Sequence, residues 1–396
     1  MLSSAVRFPL MRKERNCPLA GRCGGCDYAW EDYREELGDK QVRLMALLGR
    51  YAPVERIIPS EPDTHYRCKV QAVCAMDGKS LVTGIYRKGT HRVIPVKSCA
   101  LEDRRAAEIL STVRQLSGRY GITAYDEDRG TGDLRHVLIR IGANTGEALV
   151  ALVVPWLDLP CKSDLAAAIH QRHPYVRTVV LVENREKTSM VIPEGAEEAV
   201  LYGKGFITER LNGLDFRISA KSFFQVNPYQ AERLYSYAMK AARLRPSDTV
   251  IDAYCGTGTI ALIAASRGVE RVIGIESNPD AVNDARDNAE LNGLSNAAFI
   301  NADASKWLKQ AAKDKMRCDV LFLDPPRSGS SEEFLAAASR LHPDVIIYIS
   351  CNPETLARDL RYVSRFMPYR IRTIQPFDMF PQSEHVETVC LLTRSM

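Results

Sequence analysis

From Val250 onward the chain alternates between short β-branched runs and longer amphipathic stretches, and this rhythm constrains the fold more than any other feature. Val250 to Ala253, Arg271 to Ile275, Ala297 to Ile300, Val320 to Leu323, Val345 to Ile349 and Ile371 to Ile374 read as strands separated by helical patterns. Thr388 to Leu392 reads as a seventh strand after a short loop, which predicts an antiparallel pair at the end of the sheet. Parallel strands joined by crossover helices leave this signature, so a Rossmann-like, seven-stranded α/β sheet is predicted for the carboxyl-terminal half. In such sheets ligands bind at the carboxyl ends of the strands.

The groups at those strand ends are chemically specific. The first strand runs through Asp252 and Tyr254 into Gly256, Gly258 and Thr259. Glycines at a strand-to-helix turn let the backbone approach a ligand, and the helix amino terminus adds a positive dipole. A third dinucleotide-fingerprint glycine is replaced by Ala261, a permitted variant, so the glycines alone leave NAD open. Glu276 ends the second strand, placed to accept hydrogen bonds from ribose hydroxyls. Asp303 ends the third, placed to reach an adenine edge, and Asp324-Pro325-Pro326-Arg327 ends the fourth. Four acids at successive strand ends suit a cationic nucleoside such as S-adenosylmethionine better than an anionic pyrophosphate. Capping of the following helices would account for one or two of them.

The fifth strand ends Ser350-Cys351-Asn352-Pro353, with Pro353 suited to open a helix. Cys351 is therefore predicted beside a helix amino terminus, where the dipole lowers a thiol pKa and favours the nucleophilic thiolate. The competing reading is an inert, buried cysteine.

Upstream, Cys17, Cys23 and Cys26 fall within one glycine-containing loop, a pattern for metal binding. A second Cys-x-x-Cys pair is missing, and the later cysteines Cys68, Cys74 and Cys99 are single. Spacing leaves zinc and a cubane iron–sulfur cluster open. Asp27 to Tyr51 reads as an amphipathic helix, with Leu37, Val42, Leu44, Leu47 and Leu48 among charges. Strands are predicted over Val70 to Met76, Leu81 to Tyr86 and Thr90 to Val96, followed by a helix over Cys99 to Gly118. Two β-pairs follow: Arg135 to Gly142 with Glu147 to Val154, and Thr178 to Val182 with Ser189 to Ile192. From Tyr229 to Leu244 the pattern is helical.

The chain has 396 residues, enough for two or three domains, and its net charge of +4 names no partner. Charge distribution says more. Between His65 and Lys97, the cations Arg67, Lys69, Lys79, Arg87, Lys88, Arg92 and Lys97 face only one acid, Asp77, with Tyr66 and Tyr86 among them. Such a segment either binds nucleic acid, through phosphates and stacked bases, or forms a solvated sheet face. No apolar run reaches the roughly 18 residues a membrane span needs. The apolar run within Met1 to Asn16 is too short for the hydrophobic region of a signal peptide, so a cytoplasmic, membrane-free protein is expected. Eleven cysteines then point to metal ligands, catalysts or core fillers rather than disulfides.

Taken together, these motifs resemble the RNA uracil-5-methyltransferase family. The resemblance rests on Phe223-Phe224-Gln225-Val226-Asn227, on Asp252 to Gly258, on Asp324 to Gly329 with Ser350 to Pro353, and on Phe377 to Glu387. It implies a class I S-adenosylmethionine-dependent methyltransferase fold over residues 217–396, preceded by a mixed α+β iron–sulfur and RNA-binding region. That region comprises a cysteine loop and helix over 1–52 and a central domain over 53–216. By the same resemblance Cys351 is the nucleophile and Glu387 the base, while Gln225, Tyr254, Thr259, Glu276, Asp303 and Asp324 surround S-adenosylmethionine. Arg327 and His385 are expected RNA or substrate contacts. Cys17, Cys23, Cys26 and Cys99 match the ligands of a [4Fe–4S] cluster in bacterial ribosomal RNA members. The implied activity is methylation of uridine carbon 5 in RNA by a monomer, with 23S ribosomal RNA the expected target and transfer RNA the alternative. Several relatives begin with a β-barrel RNA-binding domain, for which the sixteen residues before Cys17 leave no room. Two other readings are an amine methylase, which needs neither Cys351 nor Glu387, and an RNA-binding protein with a vestigial methylase fold.

Overall fold

The computed structural model describes residues 17–28, 32–87, 89–187 and 190–395. The run before Cys17, Lys88 and Ser189 lie outside them. Helix α1 (Tyr33–Leu48) starts after Asp32, whose carboxylate accepts the Arg34 amide. The predicted helix is thus shorter, and Val42 faces solvent, 68% exposed. The buried stripe runs instead through Tyr33, Glu36, Leu37, Lys40, Leu44 and Leu48, the helical spacing of a core-facing side.

A first sheet comprises β1 (Lys69–Asp77), β2 (Ser80–Tyr86), β3 (Val93–Pro95), β4 (His136–Ile141), β5 (Ala148–Val154), β6 (Val176–Glu183) and β7 (Glu198–Tyr202). Its spatial order is β3-β2-β1-β4-β5-β6-β7. Helix α2 (Arg104–Tyr120) begins only after the cap Asp103, which leaves Cys99 on a loop rather than inside the predicted helix. Helix α3 (Lys162–Arg172) makes the crossover between the parallel strands β5 and β6. The predicted partner of β6 is replaced: β7 pairs with it, not the stretch ending at Ile192. There the Asn184 amide ties down the carbonyls of Met190 and Val191, and Pro193 follows, so that stretch turns away instead of extending.

One face of this sheet buries Val70, Ala72, Val137, Ile139, Val150 and Leu152 against α2 and α3. The other buries Leu138, Leu149, Ala151, Val153 and Val180 against the ribbon of β8 (Phe206–Leu211) and β9 (Leu214–Ser219). Burial on both faces explains why β5 reads as an unbroken apolar run.

The second sheet contains β10 (Thr249–Ala253), β11 (Arg271–Glu276), β12 (Ala297–Asn301), β13 (Val320–Leu323), β14 (Val345–Ser350), β15 (Tyr369–Phe377) and β16 (Glu387–Arg394). Its order is β12-β11-β10-β13-β14-β16-β15, parallel except for β16, which runs antiparallel between β14 and β15. The seven strands and the terminal antiparallel pair agree with the sequence reading. Helices α4 (Pro228–Ala242), α5 (Thr259–Ala265) and α6 (Pro279–Leu291) cover one face through Ala231, Ile260 and Val282. The other face carries α7 (Ala304–Lys313), α8 (Glu332–Arg340), α9 (Pro353–Phe366) and the amino-terminal α1. After α1, Val54 and Ile58 bridge to Ile374 and Phe377 of β15, so the amino-terminal segment is built into this layer. Among the described residues no helix is long and apolar enough to cross a membrane.

Candidate active site

The carboxyl ends of β10, β11, β13 and β14 open onto a crevice of about 1750 Å³ whose far wall comes from β1 and the cysteine loop. Gln225, Tyr254, Thr259, Glu276, Asp324, Cys351 and Glu387 all line it, as do Arg327 and His385. Asp303 does not line it: it is exposed and caps α7 by accepting the Lys306 amide. Its charge still reaches Tyr254, whose hydroxyl pKa it helps burial to raise to about 12.

The cofactor side is formed by tight turns. Tyr254 has a φ of 68°, and Gly256 and Gly258 also have positive φ. A side chain at Gly258 would strike the Phe299 ring and Ala285, whereas Gly256 opens onto free space, where a ligand can approach the backbone. Glu276 braces this turn, one carboxylate oxygen accepting the Gly256 amide at 3.1 Å and the other the Asn278 amide at 2.9 Å. Behind it Asp252 is fully buried; one oxygen accepts the Ala261 amide at 2.9 Å and the other has no partner among the described residues. These features fit a nucleoside carrying positive charge: a cradle open to the backbone, with carboxylates that form no ion pair among the described residues.

Four titratable groups dominate the reactive end. Glu387, the first residue of β16, is 5% exposed; burial and then the Asp324 carboxylate push its pKa up to about 8, with Arg327 opposing. Burial raises Asp324 to about 7 and Asp252 well above the usual range. Cys351 comes directly after β14, which ends at Ser350, and is followed by Asn352, whose side chain caps α9 as Pro353 opens it. That geometry matches the prediction, but its expected consequence does not hold. Burial, Glu387 and Asp324 raise the thiol to about 11, outweighing Arg327. A cation entering the crevice would lower all four values together.

Arg327 Nη2 stands 2.8 Å from His385 Nε2, and the Asn352 amide donates to the Arg327 carbonyl. Burial and then Arg327 lower the His385 pKa, which keeps the imidazole neutral and able to accept. Sequence reasoning missed Tyr235 of α4, a buried crevice residue beside Asp324, Glu387 and the Gln225 side chain. It lies on the apolar stripe of its helix, so its pattern is that of any core tyrosine.

At the opposite rim, Cys17, Cys23, Cys26 and Cys99 are all free thiols, and Gly24, Gly25 and Asp27 of the same loop line the crevice. Burial, then Cys99, Cys23 and Cys17, raise the Cys26 thiol to about 12. The Leu101 amide points at Cys99 Sγ, 3.5 Å away. Among the described residues no three His, Cys, Asp or Glu side chains converge on one ion. The donor set consists of thiols alone, chemistry that suits an iron–sulfur cluster and a zinc ion alike.

Such a sheet, with a glycine turn and carboxylates at its strand ends, defines an S-adenosylmethionine-dependent methyltransferase. The profile of the tRNA (uracil-5-)-methyltransferase family matches residues 180–395. An uncharacterised RNA methyltransferase of Halalkalibacterium halodurans is 38% identical over 386 residues, 96% of this chain and 83% of its own. One from Caldanaerobacter subterraneus is 38% identical over 382 residues, 96% and 84% of the two chains. Among solved structures, the tRNA (uracil-54, C5)-methyltransferase of Pyrococcus abyssi in complex with S-adenosyl-L-homocysteine superposes with a TM-score of 0.78. It is 28% identical, with 98% of this chain and 89% of that one covered. The chain belongs to the RNA uracil-5-methyltransferase family.

Proposed function

We propose that this protein methylates carbon 5 of a uridine in RNA through a covalent bond between Cys351 and the base. The observation that carries this reading is the placement of Cys351, Glu387 and Asp324 in one crevice, with Glu387 and Asp324 raising the Cys351 pKa. Carbon 5 of uracil is a poor nucleophile. Addition of the Cys351 thiolate to carbon 6 pushes the ring electrons into an enolate with negative charge at carbon 5. Gln225, Tyr254, Thr259, Glu276 and Asp324 would hold S-adenosylmethionine, with Asp303 acting only through its charge on Tyr254; the cofactor would give its sulfonium methyl to carbon 5 and leave as neutral S-adenosylhomocysteine. Glu387 then takes the remaining carbon 5 proton, and breakage of the Sγ–carbon 6 bond restores the ring double bond. A carboxylate raised to about 8 is a competent base near neutrality.

Labelled RNA and a denaturing gel test these roles. Cys351→Ala should form no conjugate and transfer no methyl group. Glu387→Gln should accumulate a methylated uracil still joined to Cys351, labelled from the cofactor. A conjugate from Cys351→Ala would transfer the nucleophile's role to another cysteine, with Cys255 the neighbour in the glycine turn. Normal turnover by Glu387→Gln would place the base elsewhere.

Cys17, Cys23, Cys26 and Cys99 hold a [4Fe–4S] cluster in this reading, tying residues 1–52 to the central region 53–216, while 217–396 performs the transfer. Finding zinc in place of iron in anaerobically purified protein would overturn that assignment. The cysteine set supports 23S ribosomal RNA as the target. Similarity to the archaeal tRNA (uracil-54, C5)-methyltransferase along nearly the whole chain supports transfer RNA as a second reading. Nucleoside mapping of both RNAs from cells lacking the gene separates them.

A further inference from the structure

The segment entering β1 lies directly against the two loops that carry the site. The Tyr66 hydroxyl donates to the Pro381 carbonyl at 2.9 Å, and the Cys68 amide donates to the Val226 carbonyl at 2.8 Å. Tyr66, Cys68 and Val70 are buried, so alternation along the strand turns Arg67, Lys69 and Gln71 the other way, and all three line the crevice. Successive members of that row are about 6.7 Å apart, two residues of strand rise.

Lys69 is placed unfavourably for a folded protein. It stands directly opposite Arg140 in the antiparallel register of β1 and β4. Like charges in that position are destabilising. Arg140 cannot swing away: it is 4% exposed and its guanidinium donates to the carbonyls of Ala220 and Ser222. Among the described residues no carboxylate pairs with Lys69. Burial, then Arg140 and Arg67, lower its pKa to about 8. A half-buried ammonium between two guanidiniums, facing the crevice that holds Cys351 and Glu387, is an anion-binding arrangement.

We propose that Lys69, with Arg67 beside it, binds a backbone phosphate of the RNA strand at the crevice wall and so positions the uridine for Cys351. The proposal rests on RNA being the substrate. Arg87 and Arg92, near the tip of the β2–β3 hairpin, do not line the crevice. The row of phosphate donors therefore narrows from the whole basic segment to its first few residues.

The test measures binding of a short oligouridylate across a salt series, for the wild type, Lys69→Gln and Lys69→Arg. Lys69→Gln should bind about tenfold more weakly at low salt, the loss of one charge-assisted contact. The slope of log affinity against log salt should fall by about 0.7, one phosphate contact on a single strand. Lys69→Arg should retain both. An oligouridylate with uncharged methylphosphonate linkages should bind the wild type and Lys69→Gln equally. Binding of S-adenosylhomocysteine should not change. The unfolding midpoint of Lys69→Gln should stay or rise, since a repulsion with Arg140 is relieved; a purely structural lysine would lower it. An unchanged salt slope in Lys69→Gln, or a deficit that persists on the uncharged backbone, overturns the proposal. If the wild type forms the Cys351 conjugate while Lys69→Gln keeps its slope, only this proposal fails. If the wild type forms no conjugate, the functional reading fails first.

Discussion

Beneath α1 a lysine and two carboxylates are sealed from water together, while across the sheet three carboxylates are enclosed around the crevice with no cation bonded to them among the described residues. Lys40 is 1% exposed and its ammonium lies 2.7 Å from both Glu36 Oε1 and Asp378 Oδ1. Tyr33 donates to the second Asp378 oxygen at 2.6 Å, and the Gln382 amide and side chain donate to Glu36. Around the crevice, Asp252, Asp324 and Glu387 raise one another's pKa or are raised by burial, and Asp252 keeps an unpartnered oxygen. A buried network with every group satisfied fixes a structure; buried carboxylates that lack counter-ions await a charge from outside. The two sets are nonetheless joined. Lys40 and Glu36 hold Asp378, Phe380 and Gln382, which belong to the same loop as His385 and Glu387. The Gln382 carbonyl in turn accepts the Asp27 amide beside Cys26.

The contrast is broken most directly by removing its cation. Lys40→Met leaves Glu36 and Asp378 buried without a counter-charge, which should lower the unfolding free energy by about 3–5 kcal/mol. Neutralising all three in Glu36→Gln, Lys40→Met, Asp378→Asn should recover most of that loss. Urea unfolding measures both. A loss below about 1 kcal/mol for the single change would mean that the cluster is hydrated and no different in kind from the crevice.

The two clusters also differ in how far they could be read in advance. Strand ends are legible because the pattern of β-branched runs fixes where each strand stops, and Asp324, Cys351 and Glu276 fall at those stops. Glu36 and Lys40 were not legible, since charges on a helix read as its solvent face, and their partner Asp378 lies more than 300 residues away. For the same reason the helix's apolar residues alone do not phase its buried side: charges occupy two core-facing positions, while Val42 faces solvent. The raised thiol of Cys351 was hidden too. A helix amino terminus is visible in sequence, but the crowding of Glu387 and Asp324 around it depends on β16 slotting beside β14.

A second, smaller effect tests the crevice side. Glu387 titrates near 8 in the folded protein against 4.5 when unperturbed, and Asp324 near 7 against 3.8. Between these limits the folded state holds protons that the unfolded chain has released, so stability should fall as pH rises from about 4.5 to about 8. Glu387→Gln removes one of the two groups. It should flatten that slope and be more stable than the wild type at pH 8, while matching it at pH 4.5. Thermal or urea unfolding across this range supplies the measurement. A variant less stable than the wild type at pH 8 would show that Glu387 is compensated after all, and the distinction from Lys40 would collapse.

The smallest expected effect comes from a pair that belongs to neither class. Arg43 and Glu354 form a 2.6 Å ion pair between α1 and α9, but their side chains are 36% and 50% exposed. Water screens such a pair, so Glu354→Ala should change stability by about 0.5 kcal/mol or less. Arg43 also donates to the Glu384 carbonyl at 2.9 Å, next to His385. Arg43→Met should therefore differ from Glu354→Ala in kinetics rather than in stability: both should unfold at similar urea concentrations, while Arg43→Met loosens the loop and lowers turnover. Equal turnover in the two variants would show that the Lys40 cluster alone holds the loop. A loss of stability above 1 kcal/mol in Glu354→Ala would mean that burial is not what separates strong from weak charge pairs in this protein.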